Sequence, residues 1–295
     1  MYPMKKLLLF TLILCLLLPG CSKVSEDIQI VATTQPVYDL TLRLCEDTGL
    51  AVTRLITENV SCLHDYSLQV DQMRAVENAE LIVMSGAGME EFLEDILTGK
   101  AAVIDASENV DLICAGHDHH GESSHDGHHH EQDPHIWLSP VNGQIMADNI
   151  CAGLIRQYPH LEEAFRNNLV SLTADLTNLQ AYAEEELSDI RCREIITFHD
   201  GFSYMAQSFG ITVLEAVEEE SGSEASAAEL IHLIQLVDEH QLPCVFTEAN
   251  GSTAAAQIIA AEAGVLAFSL DMGMGERNYF ETMYHNIDTL KEALG

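Results

Sequence analysis

Basic residues are scarce. Thirteen Lys and Arg face 47 Asp and Glu in a chain of 295 residues, a formal net charge of −34. A field of that sign repels polyanions, which excludes nucleic-acid binding. No G-x-G-x-x-G or G-x-x-x-x-G-K-[ST] follows any candidate strand, so nucleotide-binding chemistry has no anchor. The H-E-x-x-H signature of zinc hydrolases is missing, and no C-x-x-C pair offers a metal or redox motif. No apolar run reaches the ~20 residues that a membrane-spanning helix needs.

The remaining composition is ordinary for a folded protein, at 47% apolar and 20% charged residues. At the N-terminus Lys5 and Lys6 precede an apolar run over 7–18, too short to span and suited to a secretory leader. The run ends in Leu17-Leu18-Pro19-Gly20-Cys21-Ser22. This resembles the bacterial lipoprotein signal, in which Cys21 is acylated and becomes the mature N-terminus. The expectation is a leader over 1–20, a tether over 21–27 and an extracytoplasmic domain anchored to the lipid bilayer of the cell membrane. Cys15 and Cys21 set aside, six cysteines remain, and their pairing is left open.

Short apolar runs alternate with amphipathic segments along the rest of the chain. Strands are expected at 28–32, 51–56, 81–84 and 102–104, with helices at 37–45, 68–77, 89–97 and 141–156. Apolar residues from Phe165 to Leu187 recur mostly every three or four positions without Gly or Pro, predicting one helix over 162–187. Strands then recur at 195–198, 212–215, 244–247 and 265–270, alternating with helices at 202–209, 225–239, 254–263 and 279–294. The alternation predicts an α/β protein of two similar lobes with parallel sheets, over 28–158 and 190–295, joined by a long helix within 159–189.

Histidines are unevenly placed. His117, His119, His120, His125, His128, His129 and His130 crowd an acidic loop over 116–133 that has no apolar residue. Neutral imidazoles are good ligands for zinc, copper and nickel, so this loop is an auxiliary, weak metal-binding segment. A tighter site needs ligands on folded scaffold. His64, His135, His199 and Asp271 each follow a predicted strand, where α/β proteins place their ligands. Their separations match no local metal signature, so placement alone leaves them open between ligands and idle loop residues.

Asp133-Pro134-His135-Ile136-Trp137-Leu138-Ser139-Pro140 resembles the DPHxWLDP segment of the metal-binding lipoproteins that serve bacterial zinc and manganese ABC importers. The likeness continues through His64-Asp65-Tyr66, Thr197-Phe198-His199-Asp200, Cys244-Val245-Phe246-Thr247-Glu248 and Leu270-Asp271. It implies two lobes on a rigid backbone helix, with metal held in the interlobe cleft at His64, His135, His199 and Asp271. It also implies a membrane permease and a separate ATPase as partners. Ser139 stands where the family usually has Asp, and Asp271-Met272-Gly273 replaces the commoner Asp-Pro-Leu. Three imidazoles and one carboxylate favour Zn²⁺ over hard, oxygen-preferring Mn²⁺, though copper and nickel suit the same donors. Glu248, ending a strand beside the cleft, is placed to orient a ligand. The function expected is capture of Zn²⁺ and its delivery to the permease, without catalysis. Manganese binding and a role as extracellular metal buffer or adhesin are the alternatives.

Overall fold

The structure, a computed structural model, describes residues 29–60, 63, 66–97, 102–114, 132–217 and 226–295. The first half runs β1 (Ile30–Ala32), α1 (Gln35–Leu44), β2 (Val52–Arg54), α2 (Val70–Asn78), β3 (Leu81–Met84), α3 (Glu94–Leu97), β4 (Val103–Asp105) and α4 (Pro140–Gln157). Helix α5 (Glu162–Glu186) follows. The second half is β5 (Glu194–Thr197), α6 (Ser203–Phe209), β6 (Thr212–Ala216), α7 (Ala227–His240), β7 (Cys244–Glu248), α8 (Ala254–Ala263), β8 (Leu266–Leu270) and α9 (Tyr279–Leu294). The strands form two all-parallel sheets, β2-β1-β3-β4 and β6-β5-β7-β8, so the two halves repeat one strand order. Among the described residues no helix is long and apolar enough to cross a membrane.

Local sequence explains most element starts. Pro140 begins α4 behind Ser139, whose hydroxyl accepts from the Asn142 amide. Ser226 with Glu229 and Asn278 with Glu281 close capping boxes on α7 and α9. Helix α5 has 25 residues, roughly 37 Å of helix. It buries Phe165, Leu172, Leu176, Leu179 and Ala183 along one face. Its early and middle turns are tied to α1 through Asn168, which donates to the Leu44 carbonyl, and the Asp175–Arg43 ion pair. Its last turns are tied to α9 through Tyr182–Asp288 and Glu186–Lys291. One helix thus serves as the common wall of both lobes.

The segment over 89–97 departs from the expected single helix. It is a 3₁₀ turn, Glu91–Leu93, followed by the one-turn α3. The chain enters it through Gly86, Ala87 and Gly88, all at positive φ. The Glu90 carboxylate then folds back to accept from the backbone amides of Ser85 and Gly86 and from the Thr33 hydroxyl. A side chain that bonds the preceding backbone competes with helix propagation.

Glu90 is 4% exposed, and burial pushes its carboxyl up to about 7 in spite of those three donors. The folded protein therefore keeps a proton that the unfolded chain loses near 4.5, the ordinary value. Between those limits the native state binds more protons, so this group's contribution to stability falls as pH rises, by roughly 3 kcal/mol across the window. Glu90→Gln cannot ionise. Thermal melts of metal-free protein from pH 4.5 to 8 should show the variant gaining on the parent as pH rises. Two melting curves that stay parallel across that range would refute the shift.

Five described cysteines, Cys45, Cys114, Cys151, Cys192 and Cys244, are free thiols. Burial raises the Cys45 and Cys244 thiols to about 12, which leaves them unreactive packing residues.

Candidate metal centre

The larger of two hydrophobic clusters among the described residues runs through both halves, from Ile30 and Val83 through Trp137 and Phe165 to Tyr279 and Leu290. Where it crosses between lobes, polar bonds fix the register. Trp137 Nε1 donates to the Met272 carbonyl, and the Tyr279 hydroxyl donates to the Trp137 carbonyl. The Tyr204 hydroxyl donates to the Asp133 carbonyl, and Arg54 donates to the Gly275 carbonyl. The two Trp137 bonds hold the segments 133–140 and 271–279 against each other, and the other two tie each segment to the opposite lobe.

His135 lies on the β4–α4 connection and is 3% exposed. Its backbone amide donates to Asp133 Oδ1, and its ring Nδ1 lies 2.8 Å from the same oxygen. His199 follows β5, with its Nδ1 3.5 Å from Oε2 of Glu248, the buried last residue of β7. β5 and β7 are the pair at which the strand order of the second sheet reverses, the usual position for a ligand in this architecture. The two rings, one from each lobe, meet edge to face with centroids 5.2 Å apart and planes at 83°. Trp137 also packs edge to face against His135, with centroids 5.4 Å apart.

Space between the imidazoles depends on Gly201. A Cβ there would sit 2.8 Å from His135 Nδ1, 2.9 Å from His199 Cδ2 and 2.5 Å from the Met272 methyl. Any other residue would push into the rings.

Asp271 follows β8 and is 4% exposed. Its amide donates to Asn286 Oδ1, and Asn286 Nδ2 donates to its carbonyl, so the backbone is clamped from both sides. Oδ1 accepts from the Gly273 amide and Oδ2 from Arg277 Nη1 at 2.8 Å. The Asp-Met-Gly sequence, with Gly273 at φ 75°, shapes the turn that makes the first of these bonds. Ser139 caps α4 and also accepts from the Ser208 hydroxyl across the lobe boundary.

His64 lies outside the described residues, as do Cys21 and the histidines from His117 to His130. The flanks of His64 are anchored. Leu63 is buried, and Tyr66, Gln69 and Gln72 all hydrogen-bond to the Glu58 carboxylate. Among the described residues no three His, Cys, Asp or Glu side chains gather around one metal-sized point. Sequence reasoning passed over three participants: Asp133 as the partner of His135, Gly201 as the spacer and Arg277 as the partner of Asp271. Asp133 had a readable signal, a carboxylate two residues before a candidate ligand. Arg277 and Gly201 had none.

Two parallel sheets of identical strand order and a shared wall helix define a two-lobed α/β protein, with His135 and His199 meeting from opposite lobes. The family model described as ZnuA, zinc-uptake complex component A, periplasmic, matches residues 30–293, and the chain belongs to that family. The zinc-binding lipoprotein AdcA of Streptococcus pneumoniae strain R6 is 30% identical over 98% of this chain, which spans 61% of that relative's length. The high-affinity zinc uptake system protein ZnuA of Bacillus subtilis is 28% identical, over 91% of this chain and 88% of its own length. A crystal structure of ZnuA superposes with a TM-score of 0.78 at 26% identity, covering 90% of this chain and 99% of that one.

Proposed function

We propose that the protein captures extracytoplasmic Zn²⁺ between its lobes and hands it to a membrane permease driven by a separate ATPase. The observation that carries this is the His135–His199 pair. Two imidazoles bound through nitrogen to one tetrahedral zinc have ring centroids about 5 Å apart, from metal–nitrogen distances of about 2.0–2.1 Å. The observed spacing is 5.2 Å. Each ring also turns Nδ1 toward a buried carboxylate, the arrangement that fixes a tautomer and makes Nε2 the ligating nitrogen. Membership of a zinc-uptake family and the zinc-binding names of its relatives support the same cargo. His64 and Asp271 are proposed to complete the site, with the loop over 116–133 as an auxiliary metal collector. Acylated Cys21 would tether the domain at the outer face of the membrane. The chemistry assigned is binding, not catalysis.

Zinc uptake by cells in zinc-poor medium tests the reading. Cells lacking the gene should regain uptake with the parent chain and with a variant deleted for 117–130, but not with His135→Ala. Restoration by His135→Ala, or failure only of the loop deletion, would favour a metal buffer and refute cleft-based transport.

A further inference from the structure

Asp271 is the one proposed ligand whose carboxylate already holds a cation. Arg277 Nη1 sits 2.8 Å from Oδ2, and Gly273 N–H takes Oδ1. The two partners differ in freedom. The Asp271 side chain is 6% exposed on a backbone clamped by Asn286, whereas the Arg277 side chain is 48% exposed on the loop between β8 and α9. If one of them moves, it is the arginine. The loop itself is pinned on both sides of the contact. The Gly275 carbonyl accepts from Arg54 of the first lobe, and Asn278 caps α9.

We propose that Arg277 is a built-in stand-in for the metal, neutralising buried Asp271 when the site is empty and yielding the carboxylate when Zn²⁺ arrives. The proposal rests on Asp271 being a ligand. A guanidinium is always charged and forms strong bonds to carboxylate, so it satisfies a buried acid that would otherwise be costly to keep ionised. A dication on the same oxygen repels it, and half-exposed Arg277 can swing into solvent. Binding then carries the cost of breaking the Arg277–Asp271 bond, and release regains it. A tethered cation that recaptures the carboxylate speeds unloading, as a delivery protein requires. It also places one of only 13 basic residues of a strongly acidic chain at the mouth of its cation site.

The test measures zinc affinity by chelator competition and release by stopped flow, on the full chain. Trp137, the single tryptophan, packs on His135 and serves as the local fluorescence reporter. Arg277→Gln should bind zinc about tenfold tighter and release it correspondingly more slowly, the scale of a charged hydrogen bond that no longer has to be broken. Arg277→Lys, which keeps the charge without the fork, should fall between parent and glutamine variant. In an Asp271→Asn background, Arg277→Gln should change nothing. Equal or weaker zinc binding by Arg277→Gln would overturn the proposal, as would a zinc-bound crystal structure with Arg277 still on Oδ2. Unchanged affinity in Asp271→Asn alone would instead remove Asp271 from the ligand set, and the stand-in role with it.

Discussion

His135→Ala and His199→Ala should each weaken zinc binding by more than about 100-fold, since loss of a mere orienting partner already costs roughly 10–100-fold. Asp133→Asn should fall within that lower range. It keeps the shape beside His135 but no longer offers the ionised oxygen that accepts from both its amide and its ring. His160→Ala is the control, on an exposed turn ahead of α5. Competition against a chelator of known affinity reads the tightest site even with the histidine loop present. Equal affinities for His135→Ala and His160→Ala would remove the interlobe site.

Gly201→Ala should be nearly as damaging, although it touches no metal. The added methyl meets two imidazoles at 2.8 and 2.9 Å, closer than real Cβ contacts allow. The Met272 methyl can move aside because it ends a flexible chain, but the rings cannot. His135 is held by Asp133 and Trp137, and His199 stands beside the buried Glu248 carboxylate. Displacing ligand atoms by a fraction of an ångström from productive geometry costs affinity on the order of 100-fold. Far-ultraviolet circular dichroism should stay native, since the glycine sits at ordinary φ in a connecting turn ahead of α6. Parental zinc affinity in Gly201→Ala would show that the imidazole spacing is not set here.

Both halves of the sequence present the same alternation of short strands and amphipathic helices, which accounts for two parallel sheets, whereas the strand order they share is set by how the elements pack. Periods of two and 3.6 residues are local properties, readable without tertiary structure. The long helix was equally plain, since no Gly or Pro interrupts 162–187 and its apolar face is regular. The 3₁₀ turn at Glu91–Leu93 was not. Its apolar spacing fits a helix, and only the Glu90 side chain, bonded back to Ser85 and Gly86, shows why the helix starts late.

The site divides in the same way. Sequence by itself determined which side chains follow strands, and the segment around His135 carried a recognisable family pattern. The contact between His135 and His199, 64 positions apart, was decided by two sheets turning their loops toward one boundary. Its width was decided by a glycine with no local motif, and the state of Asp271 by an arginine six residues on. Propensity and pattern act over a few neighbouring residues, whereas a ligand's partners are chosen by packing between elements distant in the chain. Element types could therefore be read along the chain, but the partners of each ligand only from the packed lobes.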